Sequence, residues 1–401
     1  MALNIGRKGR LYVVQEAGTL GGNGAGYGQS QTGASGSNTL SAAARAMRHT
    51  DFKAVFDPYN RVNSNEKKTS PGRVVDLDRR RTAALSNVAG LLRPSGTVGT
   101  RPECDPILLA ALGTSTLAAL STTVNDAAAT TTSCTFTAVT GLTIGDAIAL
   151  VAGGKTYVRF VTNIASLVVS WAPALPVAPS NSSAVKSGVT YKLTTGLALS
   201  LAFLHCLDGF RRELRGAAVD KFAIALDANA EPSFTASGPA SDQVSDAAAV
   251  ADPGTFTQIG GNPPSGLVGE TYIGATAYLI KKAGLSISNG LVVRNEEYGA
   301  NADAGIASEV VRATRRDVAL TLEAYTETAA TLYDLTKAGT RSSFFNQTGR
   351  TLGNIVAVYC PNVYWHPADT DNPETAVSWA FKGEARESAD GQNDEVFLGL
   401  V

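Results

Sequence analysis

Two stretches of the chain, about 235 residues apart, follow the same plan. Val74–Gly90 reads VVDLDRRRTAALSNVAG and Val310–Thr326 reads VVRATRRDVALTLEAYT. Each begins with a valine pair, continues with an arginine pair and an alternating apolar run, and leads towards a short helix. A repeated supersecondary unit indicates a duplicated domain, and duplicated domains tend to pack with a shared symmetry. We therefore expect this chain to assemble, and we consider catalysis second.

The composition indicates a folded, β-rich protein with several parts. The chain has 401 residues, of which 44% are hydrophobic and 17% charged, so it can bury more than one core. Small and β-branched residues outnumber aromatic ones, and many short runs alternate between apolar and polar positions, as strands do. The formal net charge of −1 provides no overall attraction to nucleic acid. Sequence-specific DNA binding is therefore not expected.

The residues that most often carry chemistry do not form a recognisable constellation. The cysteines lack close spacing, which argues against a disulfide framework or a zinc site and predicts buried free thiols. We expect one histidine on a loop or helix surface, one in a strand and one in a turn, and no metal site. The glycine run Gly21–Gly28 lacks the context of a phosphate loop. We predict no enzyme, no catalytic residue, no cofactor and no metal. The residues considered are Cys104, Cys134, Cys206, Cys360, His49, His205 and His366.

The first 14 residues, MALNIGRKGRLYVV, lack the apolar stretch of a signal peptide. No apolar run approaches the roughly 18 residues that a membrane-spanning helix needs. The expected product is soluble, without a membrane partner, and made in a reducing compartment.

The first copy of the repeat is interrupted by long excursions. A strand at Arg10–Glu16 is followed by a long loop over 18–72, within which Thr39–Phe56 has the spacing of a helix. A long strand at Arg73–Gly90 then precedes a helix at Pro106–Leu112. This helix has Asp105 as its predicted N-cap and Gly113 as its stop.

An all-β insertion is predicted next, because strands recur every 8–12 residues over Asp126–Thr194. The second copy then repeats the order of elements: strand, loop, long strand (Glu309–Thr326), a helix at Ala329–Leu335 capped by Thr328 and stopped by Gly339, and closing strands. The predicted domains are the first copy (1–125 and 195–240), the insertion (126–194), a linker (241–270) and the second copy (271–401).

The arginine clusters are not expected to bind phosphate. Strands point consecutive side chains to opposite faces, so an adjacent arginine pair cannot line one surface. We expect salt bridges with acidic neighbours such as Asp76, Asp78, Glu309 and Asp317, or contacts with another subunit.

Two segments resemble a known family. Thr97–Gly113 (TVGTRPECDPILLAALG) and Leu214–Gly238 (LRGAAVDKFAIALDANAEPSFTASG), together with the WAFKGE strand near the C-terminus, are similar to segments of the tail tube (major tail) proteins of long-tailed, non-contractile bacteriophages. So is the order of a long hairpin with an extended loop, a short helix and a β-meander. The resemblance covers most of the chain outside 18–72 and 126–194.

The resemblance implies a mainly β fold with two barrel-forming β-sandwich domains of the tail-tube type, each with a short helix, plus the small all-β insertion. Family rings contain six such folds, so three duplicated chains are expected to form one ring. Stacked trimeric rings would make a tube in the virion tail. DNA would pass through it without specific binding during ejection, and the partners would be the tape measure, tail terminator and tail tip proteins.

Ring stacking is assigned to the loops 18–72 and 295–308, which follow the first strand of each copy. The candidate assembly residues are Arg79, Arg80, Arg315, Arg316, Glu296, Glu297 and Tyr298. The alternatives are a tail-tip or receptor-binding subunit, which the strand-bound tryptophans disfavour, and a head–tail joining protein, which also forms rings.

Overall fold

The fold was determined as a computed structural model. It describes residues 9–19, 46–57, 62–63, 76–77, 82–196, 199–207, 210–244, 259–294, 309–371 and 378–401. Strands hold 57% of the chain and helices 5%, so the predicted mainly β class is confirmed.

The strands of the first part of the chain are β1 (Arg10–Thr19), β2 (Ala46–Met47), β3 (Asp51–Asp57), β4 (Val62–Asn63), β5 (Asp76–Leu77), β6 (Thr82–Leu91), β7 (Gly113–Leu117), β8 (Ser121–Thr123), β9 (Ser133–Thr135), β10 (Ala147–Ala152), β11 (Lys155–Ala165), β12 (Val168–Ala172), β13 (Ala184–Ser187), β14 (Val189–Leu193), β15 (Leu199–Leu207), β16 (Phe210–Ala217), β17 (Lys221–Asp227) and β18 (Ser233–Ala240).

The remaining strands are β19 (Asp242–Val244), β20 (Gly269–Ile273), β21 (Thr276–Ala277), β22 (Ile280–Ser288), β23 (Leu291–Arg294), β24 (Glu309–Arg312), β25 (Asp317–Tyr325), β26 (Ser342–Thr348), β27 (Val356–Asp371), β28 (Ser378–Ala385) and β29 (Phe397–Leu400). The described helices are α1 (Asp105–Leu112), between β6 and β7, and α2 (Thr326–Ala338), between β25 and β26.

A continuous run of eight antiparallel strands organises the molecule. Its order is β27-β28-β25-β22-β17-β18-β6-β3, and it belongs to a 14-stranded sheet. We call this run the eight-stranded sheet. Four strands come from the first half of the chain (β3, β6, β17, β18, the first group) and four from the second (β22, β25, β27, β28, the second group). In both groups the four strands follow the same chain order, with a helix after the second of them.

One hydrophobic core lies behind the eight-stranded sheet. Side chains from its buried face share this core with α1 and with further strands of two outer layers. One layer is the five-stranded sheet β19-β16-β15-β1-β2, and the other contains β20, β26, β29, β14, β7 and the first part of β27. Core residues include Leu11, Val13, Leu85, Val88, Ile107, Leu108, Phe203, Phe222, Leu320, Val356, Val358 and Leu398.

The insertion forms its own six-stranded sheet, β8-β13-β10-β11-β12-β9, and its own core. It also packs against β27, where Phe160 stacks on Tyr359 with ring centroids 5.4 Å apart. Successive residues of this part of β27 alternate: Val356 and Val358 enter the main core, whereas Ala357 and Tyr359 meet the insertion. The insertion therefore lies on the opposite side of the outer layer from the eight-stranded sheet.

Several sequence predictions about helices need correction. The helix expected at Thr39–Phe56 is wrong for its described part, because β3 alternates, with Phe52 buried and its neighbours exposed. Residue Cys104, rather than Asp105, occupies the N-cap of α1. The Asp105 carboxylate instead accepts a hydrogen bond of 2.7 Å from the Tyr191 hydroxyl. Helix α2 begins at Thr326, three residues before the predicted start, without a cap from Thr328, and ends at Gly339 in the left-handed conformation (φ 65°).

The long strand predicted at Glu309–Thr326 is interrupted. Strands β24 and β25 are separated by residues 313–316, and β24 pairs with β23 as an extension of the β22–β25 hairpin. The β3–β6 hairpin is extended in the same way by β4 and β5. The equivalent of the tip at 295–308 is therefore the tip at 64–75, not a loop that begins at residue 18. Strand β1, which precedes that loop, belongs to the outer five-stranded sheet. Both tips lie outside the described residues.

A buried ion pair fixes the insertion to the second half. Arg159, which is fully buried, donates to Glu270 at 2.5 Å, and Arg350 lies 3.4 Å from the other carboxylate oxygen. The Arg159 guanidinium also lies 5.1 Å from the centre of the Phe345 ring, a cation–π distance.

Removing one partner of a buried pair leaves an uncompensated charge, which costs about 3–5 kcal/mol. We predict that Glu270→Ala lowers the free energy of unfolding by that amount in urea denaturation monitored by tryptophan fluorescence. The exposed Glu231 supplies the control, and Glu231→Ala should change stability by less than about 0.5 kcal/mol. Equal effects of the two substitutions would contradict the structural role of the pair.

Candidate assembly interface

The seam of the eight-stranded sheet is the antiparallel pair β17–β22, where the two halves of the chain meet. Seven residue pairs align, from Lys221 opposite Ser288 to Asp227 opposite Lys282. The buried Asn289 closes the seam: its side-chain amide donates to the carbonyl oxygens of Ala111 (2.9 Å) and Val219 (3.1 Å). A single chain thus joins two four-stranded groups by backbone hydrogen bonds.

Each end of the eight-stranded sheet presents an edge. Strand β3 pairs with β6 on one side, and no described strand lies on its other side. Strand β27 divides at the opposite end. Its residues 356–359 lie between β26 and β29, whereas 364–371 pair with β28 and with no other described strand. In chain order these two edges correspond to the two strands of the seam, β3 to β22 and β27 to β17.

The exposed face of the eight-stranded sheet carries short side chains at its centre. Cross-strand neighbours share a face, so the register identifies the residues that point away from the core. The central rows carry short, neutral side chains. They comprise Ala223, Ala225, Thr235, Gly284, Ser286, Ala319, Thr321 and Ala380.

Charged residues surround these rows in near balance. Glu323 holds the clearest cluster, with Lys281 Nζ at 2.5 Å and Lys282 Nζ at 2.9 Å. These hydrogen bonds lower the pKa of Glu323 from 4.5 to about 2. Among the side chains that the structure describes on this face, the charged ones belong to Asp51, Asp57, Asp227, Asp317, Glu323, Glu384, Lys53, Lys221, Lys281, Lys282 and Lys382.

A second internal repeat, not recognised in the sequence, supports the equivalence of the groups. Strand β18 reads SFTASGPA and β28 reads SWAFKGEA, with serine, glycine and alanine at matching positions. A methyl group at Gly238 would collide with the Ala218 carbonyl, and one at Gly383 would meet Val363 and Trp365. Both glycines thus permit close approach of the neighbouring chain segment. The sequence signal for this repeat is an aromatic residue directly after the serine, Phe234 in β18 and Trp379 in β28.

The candidate assembly residues are mostly not brought to this surface. Arg316 Nη2 lies 2.7 Å from Glu395, and its Nη1 donates to the Thr194 carbonyl at 2.9 Å. Its partner is therefore Glu395, not the adjacent Asp317, and Arg316 ties the second hairpin to the segment that follows β14. Arg315 is exposed in the turn between β24 and β25. The remaining candidates lie outside the described residues: Arg79, Arg80, Glu296, Glu297 and Tyr298.

The histidines differ in part from expectation. His366 lies in β27, not in a turn, with Nε2 3.1 Å from Glu384. His205 is in strand β15 as predicted, and His49 packs edge-on against it at 5.6 Å. Burial lowers the pKa of His205 to about 4. The four cysteines are free and buried, which confirms that prediction.

The described part of the chain contains neither a metal-binding cluster nor a membrane-spanning helix. No group of three or more His, Cys, Asp or Glu side chains there could hold a metal ion. None of the helices described is long and apolar enough to cross a membrane.

Asn289 offers a test of the seam. Asn289→Ala removes both amide donors and leaves two buried carbonyls unpaired, which costs about 1–3 kcal/mol for each unsatisfied group. We expect a lower urea midpoint and faster amide hydrogen exchange in β17 and β22. Asn87, whose amide bonds Asp51 at 2.8 Å on the exposed side, is the matched control. Unchanged exchange at the seam in Asn289→Ala would contradict this role.

Glu323 offers a test by pH. A carboxylate whose pKa is lowered on folding stabilises the fold above its unfolded pKa, near 4.5, and loses this contribution as the pH falls towards about 2. The unfolding free energy of Glu323→Gln should therefore depend less on pH over this window than that of the wild type. Denaturation at a series of pH values measures this. Parallel curves for the two proteins, or the same flattening in Glu231→Gln, would contradict it.

Comparison with known proteins does not assign the chain to a family. No family model matches it, and no curated protein matches it.

Proposed function

We propose that this protein is a structural subunit of a bacteriophage tail, and that three copies form a ring and stacked rings form the tube that conducts DNA. One observation carries the proposal. A single chain joins two equivalent four-stranded groups edge to edge, and leaves the equivalent edges at both ends of the resulting sheet. Repeating the same junction between chains closes a ring.

The energetics of sheet edges favour closure. An exposed edge is a template for unwanted pairing, and a closed barrel removes the edges altogether. Three copies of an eight-stranded sheet supply about 24 strands. With a strand spacing of about 4.8 Å and a tilt of about 40°, the barrel is about 48 Å across. Such a channel admits a DNA duplex after the side chains are added.

The two sides of the sheet suit a conduit. The exposed face is the one available to line a lumen, because the core, the outer layers and the insertion all lie on the other side. Its short, neutral side chains offer passing DNA few groups to bind and little surface to obstruct it. Its lysines are matched by carboxylates, so few counterions would be released from passing DNA. The insertion would then project from the outer wall.

Both hairpin extensions support stacking. The β4–β5 and β23–β24 ribbons leave the same end of the eight-stranded sheet, because β3 and β22 run in the same direction. Three chains would present six such hairpins towards the next ring. The tape measure protein would occupy the lumen, and the tail terminator and tail tip proteins would cap the tube.

Negative-stain electron microscopy of the purified protein tests this function. We expect hollow tubes built of threefold rings, with the density of the insertion outside the wall. A variant that lacks residues 121–187 should lose that density, which locates the insertion by difference. Isolated rings of twelve members would select a head–tail joining protein, and unstacked trimers a tail-tip or receptor-binding protein. Insertion density inside the lumen would overturn the proposed architecture.

A further inference from the structure

The internal symmetry of the chain specifies a register for pairing between chains. The hairpins share the runs TAALS, from Thr82, and DVALT, from Asp317, with matching burial. Asp57 pairs with Thr82, and Ser288 pairs with Asp317. Asp57 of β3 therefore occupies the position that Ser288 occupies in β22.

The other side of the junction is aligned through the shared glycine. Ser237 precedes Gly238 in β18, and Lys382 precedes Gly383 in β28. Lys221 pairs with Ser237, whereas His366 pairs with Lys382. His366 of β27 therefore occupies the position that Lys221 occupies in β17.

Lys221 lies opposite Ser288 at the seam within the chain. We propose that β3 of one copy pairs antiparallel with residues 364–371 of β27 in a second copy, with Asp57 opposite His366. This inference rests on the proposed ring assembly and adds to it the identity of the two edges and their register. Both strands run in the directions that an antiparallel junction requires, because strand directions alternate across the whole eight-stranded sheet.

The side chains are compatible with this register. Asp57 is exposed, and the His366 side chain is 40% exposed, so neither has to leave the core to reach the other. A carboxylate opposite an imidazole is a favourable cross-strand pair, because the imidazole N–H can donate a hydrogen bond to the carboxylate and a protonated imidazole adds charge attraction. Exposed Asp51 and Lys53 on the same edge disfavour pairing in other registers, since charges protect an edge from unspecific partners.

Cysteine cross-linking measures the register directly. Residues directly opposite in an antiparallel pair have Cβ atoms about 4.5–5.5 Å apart, within reach of a disulfide, whereas diagonal neighbours are about 7–8 Å apart. The double variant Asp57→Cys/His366→Cys should therefore form covalent dimers and closed trimers on mild oxidation of assembled protein, resolved on a non-reducing gel. Each single variant should migrate as a monomer on the same gel, because the natural cysteines are buried and cannot pair with the new one.

Two further variants serve as controls. Lys221→Cys/Ser288→Cys should close a disulfide within one chain and migrate as a monomer, which verifies the template junction. Val55→Cys/His366→Cys shifts the pair by two residues and should cross-link at least tenfold less. More efficient cross-linking of this shifted pair would overturn the register, while rings seen by microscopy would leave the proposed function intact. Rings without any cross-link would overturn the choice of edges.

A charge exchange provides a second readout that needs no oxidation. His366→Asp places two carboxylates opposite each other and should reduce the fraction of protein in rings at a given concentration. Asp57→His combined with His366→Asp restores an unlike pair and should recover it. Equal assembly of the single and double variants would count against the Asp57–His366 pair. Absence of rings in the wild type would instead reject the proposed function itself.

Discussion

The two strand edges at the ends of the eight-stranded sheet are the constraint on which the rest of the architecture depends. Every strand inside this sheet satisfies its hydrogen-bonding groups through its neighbours, but β3 and residues 364–371 of β27 have only one described neighbour each. Twist prevents an open sheet of this width from remaining flat. Closing the sheet through copies of itself satisfies both edges and uses a junction already present in the chain.

The layers behind the sheet cover one of its two faces and leave the other open. Hydrophobic side chains from both groups enter a single core, and the outer layers and the insertion cover that core from the other side. The Arg159–Glu270 and Arg316–Glu395 pairs fix the insertion and the second hairpin to this frame. Only one broad face of the sheet therefore remains open. In the proposed assembly, the two equivalent strand groups, the one open face and the two exposed edges would let the sheet curve around a lumen.

The period-two alternation predicted most strands, because one buried face imposes it on the sequence. The sequence of β3 fits both a period-two alternation and the helical spacing predicted from Thr39. The residues form a strand because it buries Phe52 and leaves its two neighbours exposed. The Asn-Gly pair at 289–290 is a local turn signal, but the side-chain partners of Asn289 are distant in sequence and no local pattern reveals them. The break at 313–316 depends on a similarly distant contact, since Ala313 N–H donates to the Gly290 carbonyl at 2.8 Å. The sequence repeat coincides with the two equivalent hairpins, but the edge residues proposed to pair between copies, Asp57 and His366, lie in strands that the repeat did not include.

Divergence between the copies is informative about which positions the sheet constrains. Glycine is kept at 238 and 383, where a Cβ atom would collide with the next chain segment. At the edges the two copies differ: the seam pairs Lys221 with Ser288, whereas the equivalent outer positions hold His366 and Asp57. A junction within a chain forms once and at high effective concentration. A junction between chains must select its partner, and complementary polar groups supply that selection. The edges that carry Asp57 and His366 are therefore the ones expected to meet another molecule.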